Sequence, residues 1–216
     1  PADATTRYAY ISCRERMGQE DKARGMKFDI VYDPKASSEL KVQLIRDILK
    51  EYETQPNGTE QMMQMFKKAL SYPQENTDMT MLYVGYMNLQ KYSEDSIMKA
   101  LRDVLDVEPT NEQAYLYFLS YYAKRDDKQN VIKTCQEAID NGVNMLDIYF
   151  YQGAYYYQTG EKDKALQTLQ TAVANRQFAN NPKLYAECYG MIGTIYHDRK
   201  MRDEAYEAFE ECLRWD

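Results

Sequence analysis

Residues 189–209 read YGMIGTIYHDRKMRDEAYEAF, and this stretch decides the fold of the chain. Apolar and aromatic residues recur at the three- and four-residue spacing of one helix face as far as Tyr196, and a second stripe begins at Ala205 and continues at Phe209. Polar residues at 198–200 separate the two stripes. We therefore predict two amphipathic helices that are joined by a short turn.

The same pattern recurs through the chain at a nearly constant interval. Gly85, Leu119 and Gly153 follow one another at intervals of 34 residues, and Gly193 comes 40 residues after Gly153. The six additional residues fall in the segment 175–182, NRQFANNP, whose Asn and Pro residues indicate a longer connection that lengthens a helix or a loop. Repetition at this period predicts tandem helix hairpins, each of which buries its apolar face by stacking on its neighbours.

Small residues at fixed positions predict close packing inside each hairpin. Gly153 and Ala165 are twelve residues apart and are expected to face each other across the turn, as are Gly193 and Ala205. Larger residues such as Leu169 are expected to fill the space beside them. A large side chain at Gly153 or Ala165 is therefore predicted to force the two helices apart.

These positions resemble the tetratricopeptide repeat (TPR), whose pattern over 34 residues is W-x-x-L-G-x-x-Y, then A-x-x-x-F, then P. The copies that begin at Tyr149 and Tyr189 fit the pattern well. The copy from Asp78 has Ile97 where alanine is usual, and the following copy has Leu119 in place of glycine. The resemblance implies an all-α fold, a right-handed superhelical solenoid of antiparallel helix hairpins with about six repeats.

The resemblance is stronger in the second part of the chain than in the first. Residues 1–77 are predicted to form degenerate TPR-like repeats, with turns at Gly18 and at 55–58, QPNG. Residues 78–216 are predicted to form four regular repeats that continue the same solenoid. Their predicted bounds are 78–111, 112–145, 146–185 with the inserted connection, and 186–216. About twelve helices and no sheet are therefore expected.

Both ends of the sequence resemble positions inside the repeat. Pro1 corresponds in repeat phase to Pro109, and Asp216 corresponds to Glu108. A polar capping helix, which arrays of this kind usually carry, is not predicted at either end. We therefore expect a fragment of a larger protein, and self-association through uncapped ends is a further expectation.

Composition and charge exclude several classes of partner. The chain has 27 Lys and Arg against 34 Asp and Glu, a net charge of −7, and its basic residues do not cluster, which argues against nucleic acid. No apolar run approaches the roughly 20 residues that cross a bilayer, so no membrane insertion is expected within this segment. No targeting sequence indicates a localisation.

Neither a metal centre nor a catalytic centre is indicated by the sequence. His197 is the single histidine, the four cysteines form no C-x-x-C pair, and no glycine-rich phosphate loop is present. We therefore expect no cofactor and no enzyme activity in this chain. Cys135 and Cys212 lie in apolar helical patterns that suit free thiols, and a disulfide between Cys188 and Cys212 is the alternative.

The TPR resemblance implies that the first helix of each hairpin lines a concave face, which takes up a peptide or a partner domain. Counting along the repeats places these residues on that face: Tyr8, Ser12, Leu82, Tyr86, Leu89, Leu116, Ser120, Phe150, Ala154, Tyr157, Thr194 and His197. Few of them can carry a positive charge, so the resemblance does not extend to a carboxylate clamp. We expect an aromatic groove, anchored by Tyr86, Phe150 and Tyr157, that binds a hydrophobic or aromatic peptide or a partner helix.

Three alternatives stay open at this point. Some of the aromatic rings could pack between repeats instead of facing a ligand. The array could be a structural segment that stacks with itself or with other repeats. It could also be an accessory domain of a larger enzyme or complex, because one helical repeat fold serves many unrelated functions.

Overall fold

The computed structural model describes residues 4–215, with side chains from residue 6 onward. Twelve α-helices make up most of this part of the chain, and none of its residues forms a β-strand. The all-α prediction and the predicted number of helices are therefore confirmed. The proposed correspondences of Pro1 and Asp216 lie outside the described residues.

Consecutive helices pair into six hairpins. The helices are α1 (Ala4–Arg16), α2 (Glu20–Val31), α3 (Ser38–Tyr52), α4 (Gly58–Leu70), α5 (Asp78–Leu89), α6 (Glu94–Val107), α7 (Glu112–Lys124), α8 (Lys128–Asp140), α9 (Leu146–Gln158), α10 (Lys162–Ala174), α11 (Pro182–Asp198) and α12 (Arg202–Trp215). A five-residue 3-10 turn, Arg176–Asn180, precedes α11.

The turn of each hairpin contains one residue in the left-handed conformation. The values of φ lie between 54° and 86° for Gly18, Asn57, Lys91, Asp126, Gly160 and Lys200. At Lys200 the N–H donates to the carbonyl of His197 (2.9 Å), and the next N–H, of Met201, donates to the carbonyl of Tyr196 (3.0 Å). This pair of bonds is a Schellman motif, which satisfies the last carbonyls of a helix and reverses the chain at once.

Side-chain caps define the beginnings of several helices. The Ser93 hydroxyl accepts a hydrogen bond from the N–H of Ser96 before α6, and Asp127 accepts one from Asn130 before α8. Asn111 caps α7 in the same way. Each cap satisfies one of the N–H groups that the first turn of a helix leaves without an internal partner.

The described part of the chain forms two compact units, which are divided between residues 108 and 109. The first unit contains α1–α6, and its fully buried core includes Ile30, Leu44, Ile48 and Phe66. The division falls one repeat later than the boundary between degenerate and regular repeats at residues 77 and 78. The reason is that α5 packs against α3 and α4, so the first regular hairpin completes the first core.

The second unit contains α7–α12, and one buried cluster joins its last two hairpins. This cluster is built from Leu146, Ala165, Leu169, Ala172, Phe178, Tyr185, Cys188, Ile192, Ile195 and Ala208. Phe178 lies in the inserted connection and packs against the ring of Tyr149, with 5.7 Å between the ring centroids. The connection is thus part of the packed structure.

The insertion extends a helix, which is one of the two outcomes that the repeat spacing predicted. The helix α11 has 17 residues, whereas α9 has 13. It begins at Pro182, four residues before the predicted bound at 186, because proline suits the first helical position and Asn181 accepts from the N–H of Leu184 (3.4 Å). The remaining inserted residues form the 3-10 turn.

Close helix packing occurs at two of the repeated glycines. A Cβ on Gly153 would lie 2.6 Å from Cγ of Leu169, and a Cβ on Gly193 would lie 2.7 Å from the ring of Phe209. The nearest contact is therefore with the residue one turn beyond the predicted partners Ala165 and Ala205. Gly85 has the same repeat position, but a Cβ there would meet no other atom within 4 Å.

All four cysteines are free thiols, so the alternative of a disulfide between Cys188 and Cys212 is wrong. Cys135 and Cys188 are buried, and burial raises the pKa of each thiol to about 12. Cys13 is exposed.

Among the helices that the structure describes, none has both the length and the apolar character needed to span a membrane.

Candidate functional site

Five of the predicted groove residues lie on two helices of the second unit that contact each other, α9 and α11. Phe150, Ala154 and Tyr157 follow one another at helical spacing along α9, and Thr194 and His197 do so along α11. We call these five residues the α9–α11 face. His197 is exposed and the other four are half-buried, so each keeps surface that a partner could contact.

The two aromatic residues of this face have a double role. Phe150 and Tyr157 pack against the buried cluster of the second unit, yet both remain partly exposed. Phe150 also makes an edge contact with Tyr151, with 6.2 Å between the ring centroids. The rings are therefore fixed in position by the core beneath them, which lowers the entropy lost when a ligand packs on their outer edges.

Tyr157 is also held at its hydroxyl end. Its O–H donates to Oδ2 of Asp198 (2.9 Å), and Nζ of Lys162 lies 2.6 Å from the same oxygen. The hydrogen bond to Asp198 raises the pKa of Tyr157, and the bonds from Lys162 and Tyr157 lower the pKa of Asp198. The charges of Asp198 and Lys162 oppose each other, so this end of the face is close to neutral.

The opposite end of the face carries two carboxylates that the sequence prediction missed. Asp147 and Glu187 both lie close enough to Cys188 to contribute to the raised pKa of its thiol, after the larger effect of burial. Glu187 is exposed and Asp147 is half-buried. They are 40 residues apart and share one repeat position, so the same spacing that identified Gly153 and Gly193 could have identified them.

The other groove residues of the second unit lie on α7. Leu116 is half-buried and Ser120 is exposed, as a ligand-facing role requires. Between them, Phe118 and Leu119 are buried, which gives α7 one covered and one open face.

The first unit matches the groove prediction less well. Tyr8, Ser12 and Leu82 are half-buried, and Leu89 is 72% exposed. Tyr86 is only 8% exposed and packs against the ring of Phe66, with 5.5 Å between the centroids. The prediction that Tyr86 anchors a ligand is therefore wrong, because this ring belongs to the packing of α4 against α5.

The hydroxyl groups of two predicted groove residues, Tyr8 and Thr194, make hydrogen bonds. The Tyr8 hydroxyl accepts from Nε2 of Gln43 (3.1 Å), and the Thr194 hydroxyl donates to the carbonyl of Gly190 one turn earlier (2.9 Å). No group of three or more His, Cys, Asp or Glu side chains is arranged to hold a metal ion within residues 6–215.

Comparison with known proteins gives a structural likeness and no sequence family. No protein-family model matches the chain, and no curated protein does. A crystal structure of the MamA protein superposes with a TM-score of 0.55 at 22% sequence identity, over 81% of this chain and 91% of that one. The double mutant MamA RS-1 ArsTM gives a TM-score of 0.54 at 13% identity, over 81% of this chain and 93% of that one.

A third structure agrees with these two. MamA from residue 41 to its end, from Desulfovibrio magneticus RS-1, superposes with a TM-score of 0.52 at 13% identity, over 81% of this chain and 94% of that one. These structural neighbours are TPR-like all-helical repeat proteins. At such low identity the likeness shows the fold alone, and this chain has the fold of a TPR-like array of helix hairpins.

Proposed function

We propose that this chain is a protein-interaction scaffold that binds a peptide or a partner helix on the first helices of its second unit. The observation that carries the proposal is the α9–α11 face, on which Phe150 and Tyr157 are fixed by the core and yet remain partly exposed. Rigid aromatic rings of this kind provide much contact area at little entropic cost, and they recur as binding hot spots. The likeness to MamA structures supports the repeat fold on which such a face is built.

The surroundings of the face indicate the chemistry of its ligand. The centre, with Phe150, Ala154 and Thr194, is apolar or weakly polar, and the end at Asp147 and Glu187 is acidic. A fitting ligand therefore has two apolar or aromatic side chains on one side of a helix or strand, and a basic residue near one end. The acidic end would repel a ligand that carries its charge as carboxylates.

The experiment is a selection from a displayed library of random 15-residue peptides, followed by affinity measurements on a blocked variant. Ala154→Arg places a long side chain over the centre of the face without removing any packed atom. We expect the selection to enrich apolar or aromatic peptides, and we expect Ala154→Arg to weaken the selected peptides by a factor of about ten or more.

Thr171→Arg is the matched control. Thr171 is exposed on α10, the second helix of the hairpin, so the same side chain is added away from the face. Circular dichroism and melting temperature should show that both variants fold as the parent does. Equal affinity of the peptides for parent and Ala154→Arg, or equal weakening by Thr171→Arg, would contradict the proposed location.

Assembly is a second candidate function, and one observation favours it. The last helix, α12, exposes Tyr206 (66%), Phe209 (39%) and Leu213 (77%). These three residues recur at helical spacing, so they form an apolar stripe of the kind that a neighbouring helix covers. Sedimentation velocity across a concentration series tests this candidate, with Tyr206→Glu/Leu213→Glu as the variant that should abolish any association.

A further inference from the structure

A cleft in the second unit lies apart from the α9–α11 face and is formed by the inserted connection. Its walls come from the end of α10, the 3-10 turn, the first half of α11 and the second half of α12. Its volume is about 750 Å³, which is within the range of about 300–1,000 Å³ that ligand pockets occupy. Two of its lining residues, Arg176 and Ala179, lie in the segment 175–182 that contains the six inserted residues. A repeat without the insertion would therefore lack this side of the cleft.

Three aromatic rings line the cleft in a fixed arrangement. Tyr185 is buried and meets Trp215 edge to face, with 5.0 Å between the ring centroids, and it meets Tyr189 in the same way at 5.5 Å. The hydroxyl of Tyr185 donates to the carbonyl of Val173, which fixes the central ring. Trp215 stays 36% exposed, so its indole offers a surface on which another ring can pack.

The charged groups of the cleft favour an anion. Arg214 pairs with Glu211 on its own helix, and these two charges offset each other. Arg176 makes no ion pair with any other residue among 6–215. Burial, Tyr185 and the charge of Glu211 raise the pKa of Tyr189, and the nearby charge of Arg176 opposes this rise. The guanidinium of Arg176 is therefore the uncompensated charge beside the three rings.

We propose that this cleft binds an acidic peptide segment of a protein partner, with an aromatic side chain on Tyr189 and Trp215 and a neighbouring carboxylate on Arg176. A planar guanidinium binds a carboxylate through two parallel hydrogen bonds, which gives both strength and direction. This site is independent of the α9–α11 face, whose acidic end selects the opposite charge. A failure at one site therefore leaves the other proposal standing.

Trp215 is the single tryptophan of the chain, so its fluorescence reports on this cleft directly. The probe is the peptide acetyl-Gly-Glu-Phe-Glu-Gly-amide, which contains neither tryptophan nor tyrosine. We expect it to change the intensity or wavelength of Trp215 emission in a saturable way, and we expect Arg176→Glu to weaken it by about tenfold or more. Added salt should weaken the binding as well, because the ion pair is near the surface.

Arg202→Glu is the matched control, because Arg202 is an exposed residue at the start of α12 and does not line the cleft. It should change the affinity by less than about twofold, since its charge is remote and screened. Three outcomes overturn the proposal: no change in emission up to millimolar peptide, equal weakening by Arg202→Glu, or a stronger response to acetyl-Gly-Lys-Phe-Lys-Gly-amide or to trimethyl-lysine. The last of these would show that the rings form a cation site.

Discussion

Gly153, in the middle of α9, and Leu169, in the middle of α10, pack against each other in the fifth hairpin, and the contact fits because Gly153 has no side chain. A Cβ at Gly153 would stand 2.6 Å from Cγ and 2.8 Å from Cδ2 of Leu169, which is completely buried. The glycine therefore sets the distance between the two helices that support Phe150 and Tyr157. Packing in this hairpin and the geometry of the candidate site are linked through one residue pair.

Gly153→Ala is expected to destabilise the protein by roughly 1–3 kcal/mol, because the added methyl group forces Leu169 out of its buried position. Gly85→Ala is the matched control, and it should be neutral or stabilise by up to about 1 kcal/mol, since its Cβ meets open space and alanine favours a helix. Urea denaturation of both variants is the measurement. Similar losses at the two positions would show that the glycines are equivalent and the packing argument is incorrect.

The residues in the left-handed conformation give a second prediction, which concerns how substitutions at these turns change the stability of the protein. Lys200 has a φ of 61°, a conformation that costs a residue with a Cβ about 1 kcal/mol, so Lys200→Gly should stabilise the protein by up to about that amount. Gly160, with a φ of 86°, has the equivalent position in the preceding hairpin, and Gly160→Ala should destabilise by a similar amount. Thermal unfolding of the pair checks both signs. A shift in the same direction for both would contradict the assigned turn geometry.

Lys27 gives a prediction about a buried charge in the first unit. Its side chain is 6% exposed, and Nζ contacts Glu51 and lies 2.8 Å from Glu15. Lys27→Met should cost roughly 1–3 kcal/mol, because both carboxylates lose a charged partner but can still reach water. Lys22→Met, at an exposed position of the same helix, is the control and should change little.

The effect of Lys27 should depend on pH in one direction. Burial alone would lower the pKa of Lys27, but the hydrogen bonds to Glu15 and Glu51 outweigh it, so the pKa in the folded state is raised. The stabilisation is then fully present below the unfolded-state pKa of about 10.4 and is lost as the pH rises through the folded-state value. Denaturation from pH 7 to 11 should show the parent and Lys27→Met converging at the alkaline end. A gap that widens there would contradict this ion cluster.

The four thiols should react at different rates with an aromatic disulfide reagent at pH 8. Cys13 is exposed and should react first, and the half-buried Cys212 should follow more slowly. Cys135 and Cys188 should react only after unfolding, because both are buried and their pKa of about 12 leaves almost no thiolate. Mass spectrometry of the labelled peptides identifies the order. Early labelling of Cys188 would mean that the α11 core opens readily.

Repeat phase predicted the hairpins because it depends only on which positions are apolar or small. It placed the turns correctly at residues such as Gly18 and 198–200, since polar residues and glycine end a helix in any context. It gave Gly85 and Gly153 the same role, although only Gly153 is in close contact. The separation of two helices depends on all the side chains between them, and the residue at a single repeat position does not determine it.

The candidate site was predictable only in part for the same reason. Helical counting assigned both Phe150 and Tyr86 to the concave face, yet Tyr86 is buried against Phe66. The burial of a ring is decided by the neighbouring helix, and the first repeats are too irregular for that neighbour to be inferred. The cleft beside Arg176 could not be predicted either, because the insertion that builds it has no counterpart in the other repeats.

The most direct test of the proposed binding face is methyl NMR with a selected peptide. The methyl groups of Ala154, Thr194 and Met191 report on or beside the α9–α11 face, that of Thr171 reports on another surface of the same unit, and that of Ala208 reports on its buried cluster. Binding at the proposed face predicts that the peptide shifts the Ala154 and Thr194 signals and leaves the Thr171 signal unchanged. Shifts confined to α12, or none near Ala154 at saturation, would contradict it.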